Sequence, residues 1–166
     1  MNKWSGLTGE KLSDEWYTMP ETVWTMIDIL KPRAHSVICC PFDTQKSHFV
    51  KILQSLGHTV IHSITDWLDK EYEYDYLITN PPFSIKDQVI ERCYESGKPS
   101  VLILPLDSLG GVKRHKLYKH YGHPLVYIPT RRINYISENG EYTKGNHFHS
   151  IIMKLNDPLQ KGLIWE

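Results

Sequence analysis

The 166 residues, 40% hydrophobic and 23% charged, are enough to bury roughly 70% of the unfolded chain's surface in one core. With 10 Gly, 10 Pro and 3 Cys, the composition excludes collagen-like, disordered and disulfide-scaffold chains, and no stretch approaches the ~20 apolar residues of a membrane span. Lys and Arg (19) balance Asp and Glu (19), which speaks against a protein that coats nucleic acid by charge alone. Met1 to Glu10 is polar and lacks an apolar signal core. Cys39, Cys40 and Cys93 fit neither a zinc spacing nor a paired framework, so a reducing compartment is expected. The expectation is a single cytoplasmic domain over 1–166, with no metal and no membrane contact.

In chain order, Thr18-Met19-Pro20-Glu21 reads as a capping box with Thr18 as N-cap. Val23, Ile27 and Leu30 then form one apolar helical face, stopped by Pro32. Ser36 to Cys40 is a short buried strand ended by Pro41. Ser47 to Leu56 predicts a helix with Gly57 as its stop, and His58 to His62 a second strand. Tyr74 to Thr79 is a third strand. Ser84 to Asp87 reads as another N-terminal cap, before a helix carrying Val89, Ile90 and Cys93 and ending at Gly97. Ser100 to Leu106 is wholly apolar, Val112 to Tyr121 a basic helix, and Leu125 to Ile128 and His149 to Leu155 are strands. Asn139-Gly140 falls in the turn region between Tyr135 and His147.

Strand and helix alternate to about residue 121, and two strands close the pattern without a helix between them. That predicts a mostly parallel, doubly wound α/β sheet with helices on both faces and an antiparallel C-terminal hairpin at one edge. Ligands in such sheets sit beyond the carboxyl ends of the strands. One rim should therefore hold Pro41-Phe42-Asp43, Ser63 to Asp66, Asn80 to Phe83 and Pro105 to Ser108.

Asn80-Pro81-Pro82-Phe83 is the most informative stretch. Two prolines fix φ and remove two backbone donors, leaving their carbonyls as stiff acceptors beside the Asn80 amide and the Phe83 ring. Such a rim suits a planar group with an amino donor: two oxygens accept from the NH₂ while the ring stacks on its face. A rigid strand-to-helix turn is the plain alternative, although one proline would suffice for it. Asn80 is expected at the solvent-facing end of its strand.

Thr79-Asn80-Pro81-Pro82-Phe83-Ser84 resembles motif IV of the amino-methyltransferases that use S-adenosylmethionine. Asp14-Glu15-Trp16-Tyr17-Thr18 resembles the N-terminal signature of phage-type N6-adenine DNA methyltransferases. Cys40-Pro41-Phe42-Asp43, followed by Ser47 and Phe49, resembles the cofactor loop in one branch of that group, and Leu104-Pro105-Leu106 its next strand end. The resemblance spans roughly residues 13–155 and implies a Rossmann-like class I methyltransferase fold.

It also implies roles. Asn80 and the Pro81 carbonyl would accept from the adenine amino group, with Pro82 stiffening the turn and Phe83 stacking on a base extruded from the duplex. Trp16, Tyr17, Thr18, Pro41, Phe42, Asp43, Ser47, Asp66 and Asn80 would bind S-adenosylmethionine. Asp43 would pair with its ammonium, and Asp66 would replace the acidic residue missing at His62-Ser63. The cofactor loop, Pro41 to Ser47, has no glycine, and an N-cap role for Asp43 or Thr44 is an alternative there. His147 and His149 alternate on a strand with no third metal ligand near them.

Residues 1–83 hold 7 Lys/Arg against 11 Asp/Glu, and residues 84–166 hold 12 against 8. The basic side chains of Lys113, Arg114, Lys116, Lys119, Arg131 and Arg132 are the expected DNA contacts. A chain this short leaves little room for a target-recognition domain, so specificity is expected from short loops, a partner or dimerisation. Two other functions fit the residues. One is methylation of structured RNA on the same fold. The other is a methyltransferase-like binding protein, such as an anti-restriction factor, that has lost catalysis.

Overall fold

The computed structural model describes residues 16–143, 149–159 and 161–166. Two short strands, β1 (Trp16–Thr18) and β7 (Tyr135–Ser137), form a separate antiparallel ribbon. The main sheet has seven strands: β2 (Val37–Cys40), β3 (Thr59–His62), β4 (Tyr76–Thr79), β5 (Ser100–Pro105), β6 (Leu125–Ile128), β8 (Ser150–Leu155) and β9 (Gly162–Trp165). They lie in the order β3-β2-β4-β5-β8-β6-β9. Helices α1 (Pro20–Leu30), α2 (His48–Ser55), α3 (Lys86–Ser96) and α4 (Val112–Tyr121) cover it. Among the described residues, no helix is long and apolar enough to cross a membrane.

Strand side chains alternate between faces, and that alternation builds two cores. Ile38, Cys40, Ile78, Val101, Ile103 and Ile152 pack under Val23, Met26 and Leu30 of α1 and Phe49, Val50 and Leu53 of α2. Cys39, Leu77, Leu102, Leu104, Ile151 and Met153 pack under Val89, Ile90 and Cys93 of α3 and Tyr118 of α4. Burying both faces explains why β5 and β8 are buried at every position.

The parallel, doubly wound arrangement expected from the alternation is present, with β2 flanked by β3 and β4, and β4 by β5, all parallel. The closing pair is antiparallel, β6 with β8. However, β8 inserts between β5 and β6 rather than lying at the edge. Six consecutive buried residues require a neighbour on each side. The edge belongs to β9, parallel to β6; its four exposed residues carry none of the burial pattern by which a strand is read.

Helix starts differ from expectation at two places. Met19, not Thr18, is the N-cap of α1, because Pro20 takes the first helical position and leaves Thr18 in the ribbon. Ser84 lies in a 3-10 turn, Phe83–Ile85, and the N-cap of α3 is Ile85. Ser47 caps α2, accepting from the Phe49 amide at 3.1 Å, so neither Asp43 nor Thr44 is a cap. Lys154, almost fully buried, donates to the Ile29 carbonyl at 2.9 Å and the Leu30 carbonyl at 3.3 Å and pairs with Asp157 at 2.8 Å. It thus ties β8 to the C-terminal end of α1.

Candidate active site

The chain order reverses at β2: it passes first to β3 on one side, then returns to β4 on the other. Ligand clefts open at such a switch point, beyond the strand ends. Asp43 follows β2 there. Its Oδ1 accepts from Ser47 Oγ at 2.8 Å, and its Oδ2 accepts from Thr79 Oγ1, at the end of β4, also at 2.8 Å. The carboxylate therefore bridges the two strand ends. Burial pushes its pKa up from 3.8 to about 6, against the opposing pull of the Thr79 and Ser47 hydroxyls. Among the described residues no cation pairs with it.

The loop from Pro41 to Ser47 turns without glycine because none of its residues takes a positive φ. It closes through Asp43 N–H to the Cys40 carbonyl at 3.1 Å and Ser47 N–H to the Thr44 carbonyl at 2.9 Å. It is also joined to the loop after β3, where Ser63 N–H donates to the Asp43 carbonyl at 2.8 Å and Ile64 N–H to the Pro41 carbonyl at 2.9 Å. Ser63 takes φ +58°, a left-handed conformation costing a non-glycine residue roughly 1–2 kcal/mol.

Asn80 follows β4 directly. It is half-buried rather than solvent-facing, because the β1–β7 ribbon stands over the strand end. Its Nδ2 donates to Thr18 Oγ1 at 3.4 Å, and its Oδ1 is buried without a partner. The Pro82 carbonyl accepts from the Ile85 amide at 3.2 Å, while no described donor takes the Pro81 carbonyl. Phe83 is half-buried against the α1-side core. The Asn80 oxygen and the Pro81 carbonyl thus both lack a described donor.

The ribbon brings Tyr135, which the sequence did not single out, beside Thr18, which it did. Thr18 and Tyr135 are direct cross-strand partners. Burial pushes the Tyr135 hydroxyl pKa up, and the nearby Asn80 and Ser150 side chains oppose this. Those contacts are looser than formed hydrogen bonds, since Asn80 Oδ1 and Ser150 Oγ both remain unpartnered. The ribbon is tied to the loop after β2 and to α2: His48 Nδ1 donates to the Thr18 carbonyl at 2.8 Å, and Glu138 accepts from Tyr17 at 3.1 Å and Lys46 at 2.5 Å. Nothing local in the sequence marks Tyr135, because its partners lie on distant segments.

Trp16 and Tyr17 lie on the ribbon, and Trp16 Nε1 is a buried donor without a partner. The Phe42 ring meets Trp67 edge-on at 5.7 Å, so part of it belongs to the core. Asp66 lies in the turn after β3, where Lys70 and Tyr72 occupy its two oxygens and hold its pKa down. Arg114 is largely buried, donating to Asp87 at 2.8 Å, the Gly110 carbonyl at 2.6 Å and the Asp107 carbonyl at 3.2 Å. Lys113 pairs with Glu91 at 3.2 Å. Lys116, Lys119, Arg131 and Arg132 are exposed; the two arginines follow the rim end of β6, whereas α4 packs on the α3 side of the sheet.

Asp14, Glu15, Lys144 and His147 lie outside the described residues. His149 bonds the Pro129 carbonyl at 2.9 Å, and the described residues contain no metal-holding group of three ligands. Burial holds the Cys39 and Cys93 thiols up at about 12, so neither is a nucleophile at neutral pH.

A sheet covered by helices on both faces, with antiparallel β8 inserted between the parallel strands β5 and β6, is the Rossmann-like methyltransferase fold. Two solved structures share it. A dimethyladenosine transferase from Plasmodium falciparum superposes with a TM-score of 0.51 at 14% identity, covering 83% of this chain and 62% of that one. The 23S rRNA methyltransferase ErmE gives 0.51 at 11%, covering 85% and 69%. TrmN from Thermus thermophilus gives 0.45 at 13%, covering 82% and 48%. The chain thus spans between about half and two thirds of these neighbours' lengths. No family model and no curated protein matches the sequence.

Proposed function

We propose that this chain transfers a methyl group from S-adenosylmethionine to the N6 amino group of adenine in DNA. The observation that carries the reading is Asn80 Oδ1, a buried acceptor without a donor on the Asn-Pro-Pro-Phe turn at the switch point. An unsatisfied buried acceptor costs roughly 1–3 kcal/mol, and an incoming amino group would relieve that cost.

Asp43 fits the cofactor. It is a half-buried carboxylate with no counter-charge among the described residues, and an ammonium group would supply one. When bound, the cofactor offers a methyl group activated by a positively charged sulfur. Asp43 would hold the amino-acid end, oriented in turn by Ser47 and Thr79. Asn80 Oδ1 and the Pro81 carbonyl would each accept from the adenine NH₂, turning the nitrogen lone pair toward the methyl group. These same oxygens would stabilise the positive charge that develops on that nitrogen. Phe83 would stack on the base, and fixed positions on both sides make the transfer effectively unimolecular.

One neighbour is named as a 23S rRNA methyltransferase, which supports a second reading with RNA as substrate. Single-turnover assays with tritiated S-adenosylmethionine on duplex DNA and on structured RNA separate the two. Label in neither, together with no cofactor heat by calorimetry, overturns both and favours a protein that binds without catalysis.

A further inference from the structure

Building on the methyltransferase reading of this site, we propose that Thr18 is a positioning residue that holds the Asn80 carboxamide by its donor end and leaves its oxygen without a protein donor. A carboxamide has a donor end and an acceptor end of almost equal shape, and only the acceptor end serves an incoming amino group. Asn80 stands just past the end of β4, so the sheet ladder does not fix its side chain. The ribbon fixes it from outside.

Thr18, only 5% exposed, takes the Asn80 Nδ2 donor at 3.4 Å and leaves Oδ1 without a partner. Tyr135 is the direct cross-strand partner of Thr18, so side chains of the pair share one face. Tyr135 packs on the same core as Phe83. Thr18 is itself held, because its carbonyl accepts from His48 Nδ1 at 2.8 Å. His48 directly follows Ser47, the residue that orients Asp43. The same ribbon therefore holds Asn80 while resting on the loop proposed to hold the cofactor.

The test uses Thr18→Val, which removes the hydroxyl at constant shape, and Thr18→Ser, which retains it. Thr18→Val should lower single-turnover kcat on DNA by about tenfold with cofactor Kd unchanged, and Thr18→Ser should restore most of it. In an Asn80→Ala background, Thr18→Val should cost nothing further, since it acts through that side chain. Additive losses, or a Thr18→Val rate equal to wild type, would overturn the proposal. NMR of the Asn80 side-chain NH₂ provides a readout independent of catalysis: its resonances should shift in Thr18→Val and return in Thr18→Ser. If wild type methylates nothing, the reading of the function fails, and these resonances still decide the positioning role; unchanged resonances refute it.

Discussion

An acceptor buried without a donor is tolerated in a native protein where a ligand relieves it. Asn80 Oδ1 is in that condition, which makes Asn80→Ala informative in two ways. The substitution removes the orphan and one long hydrogen bond, so a denaturant melt should show a stability change within about 1 kcal/mol. Methyl transfer in single turnover should fall about 10²-fold, the usual loss for one preorganised polar contact. A wild-type rate would reduce the motif to a turn. Asp43 gives a pH prediction. Its folded pKa of about 6 exceeds the ordinary 3.8, so the carboxyl takes up protons on folding. Its contribution to stability is thus greatest at low pH and declines as pH rises from about 4 to 6. Affinity for a cationic ligand should run the opposite way, rising through pH 6 and levelling above it. Calorimetry between pH 5 and 8 reads this rise, and Asp43→Asn should flatten the profile at a much weaker affinity.

Elements were legible wherever periodicity and a stop coincided. The limits of α4 and β6 match those read from the sequence, and α2, β2 and β3 differ only at their ends. The ribbon was not legible, because three-residue strands have no period and their pairing joins segments far apart in the chain. Charge misled for a related reason: sequence gives the sign of Arg114 but not the direction in which it points. It joins α4 to Asp87 at the start of α3. Arg114→Ala should therefore cost about 2 kcal/mol by denaturant melt, as expected for broken hydrogen bonds to a charged group. Lys116→Ala, at an exposed position, should stay within about 0.5 kcal/mol. Lys154→Met should cost about 3–5 kcal/mol, since it strands Asp157 and the α1 carbonyls.

At the scale of the molecule, the two-sided burial of β5 and the doubly wound order could be read from apolar runs. The insertion of β8 could not, because it depends on which of two edges a late strand joins. The candidate site was legible as Asn80, Asp43, Ser47 and Thr18; the bonds that join Thr79 to Asp43 and Asn80 to Thr18 are ones that only the fold brings together. The exposed cations on the rim side yield a further prediction. Replacing Arg131 with Ala should weaken binding to DNA about equally across sequences and lower the salt slope by roughly 0.9 for each phosphate that the arginine neutralises. Fluorescence anisotropy between 50 and 200 mM salt measures it, and an unchanged slope would remove Arg131 from the interface.

The ribbon also sets a schedule. Tyr17 and Glu138 are bonded across a separation of 121 residues, so the first strand of the ribbon leaves the ribosome long before the second. At about 5–20 residues per second, the interval is roughly 6–24 s. During that time Thr18 waits without Tyr135, while β2, β3, β4 and β5 are all synthesised before the second strand of the ribbon. The sheet is thus built ahead of the site, and a nascent chain stalled before residue 135 would hold the whole motif in sequence without the arrangement that lets it work.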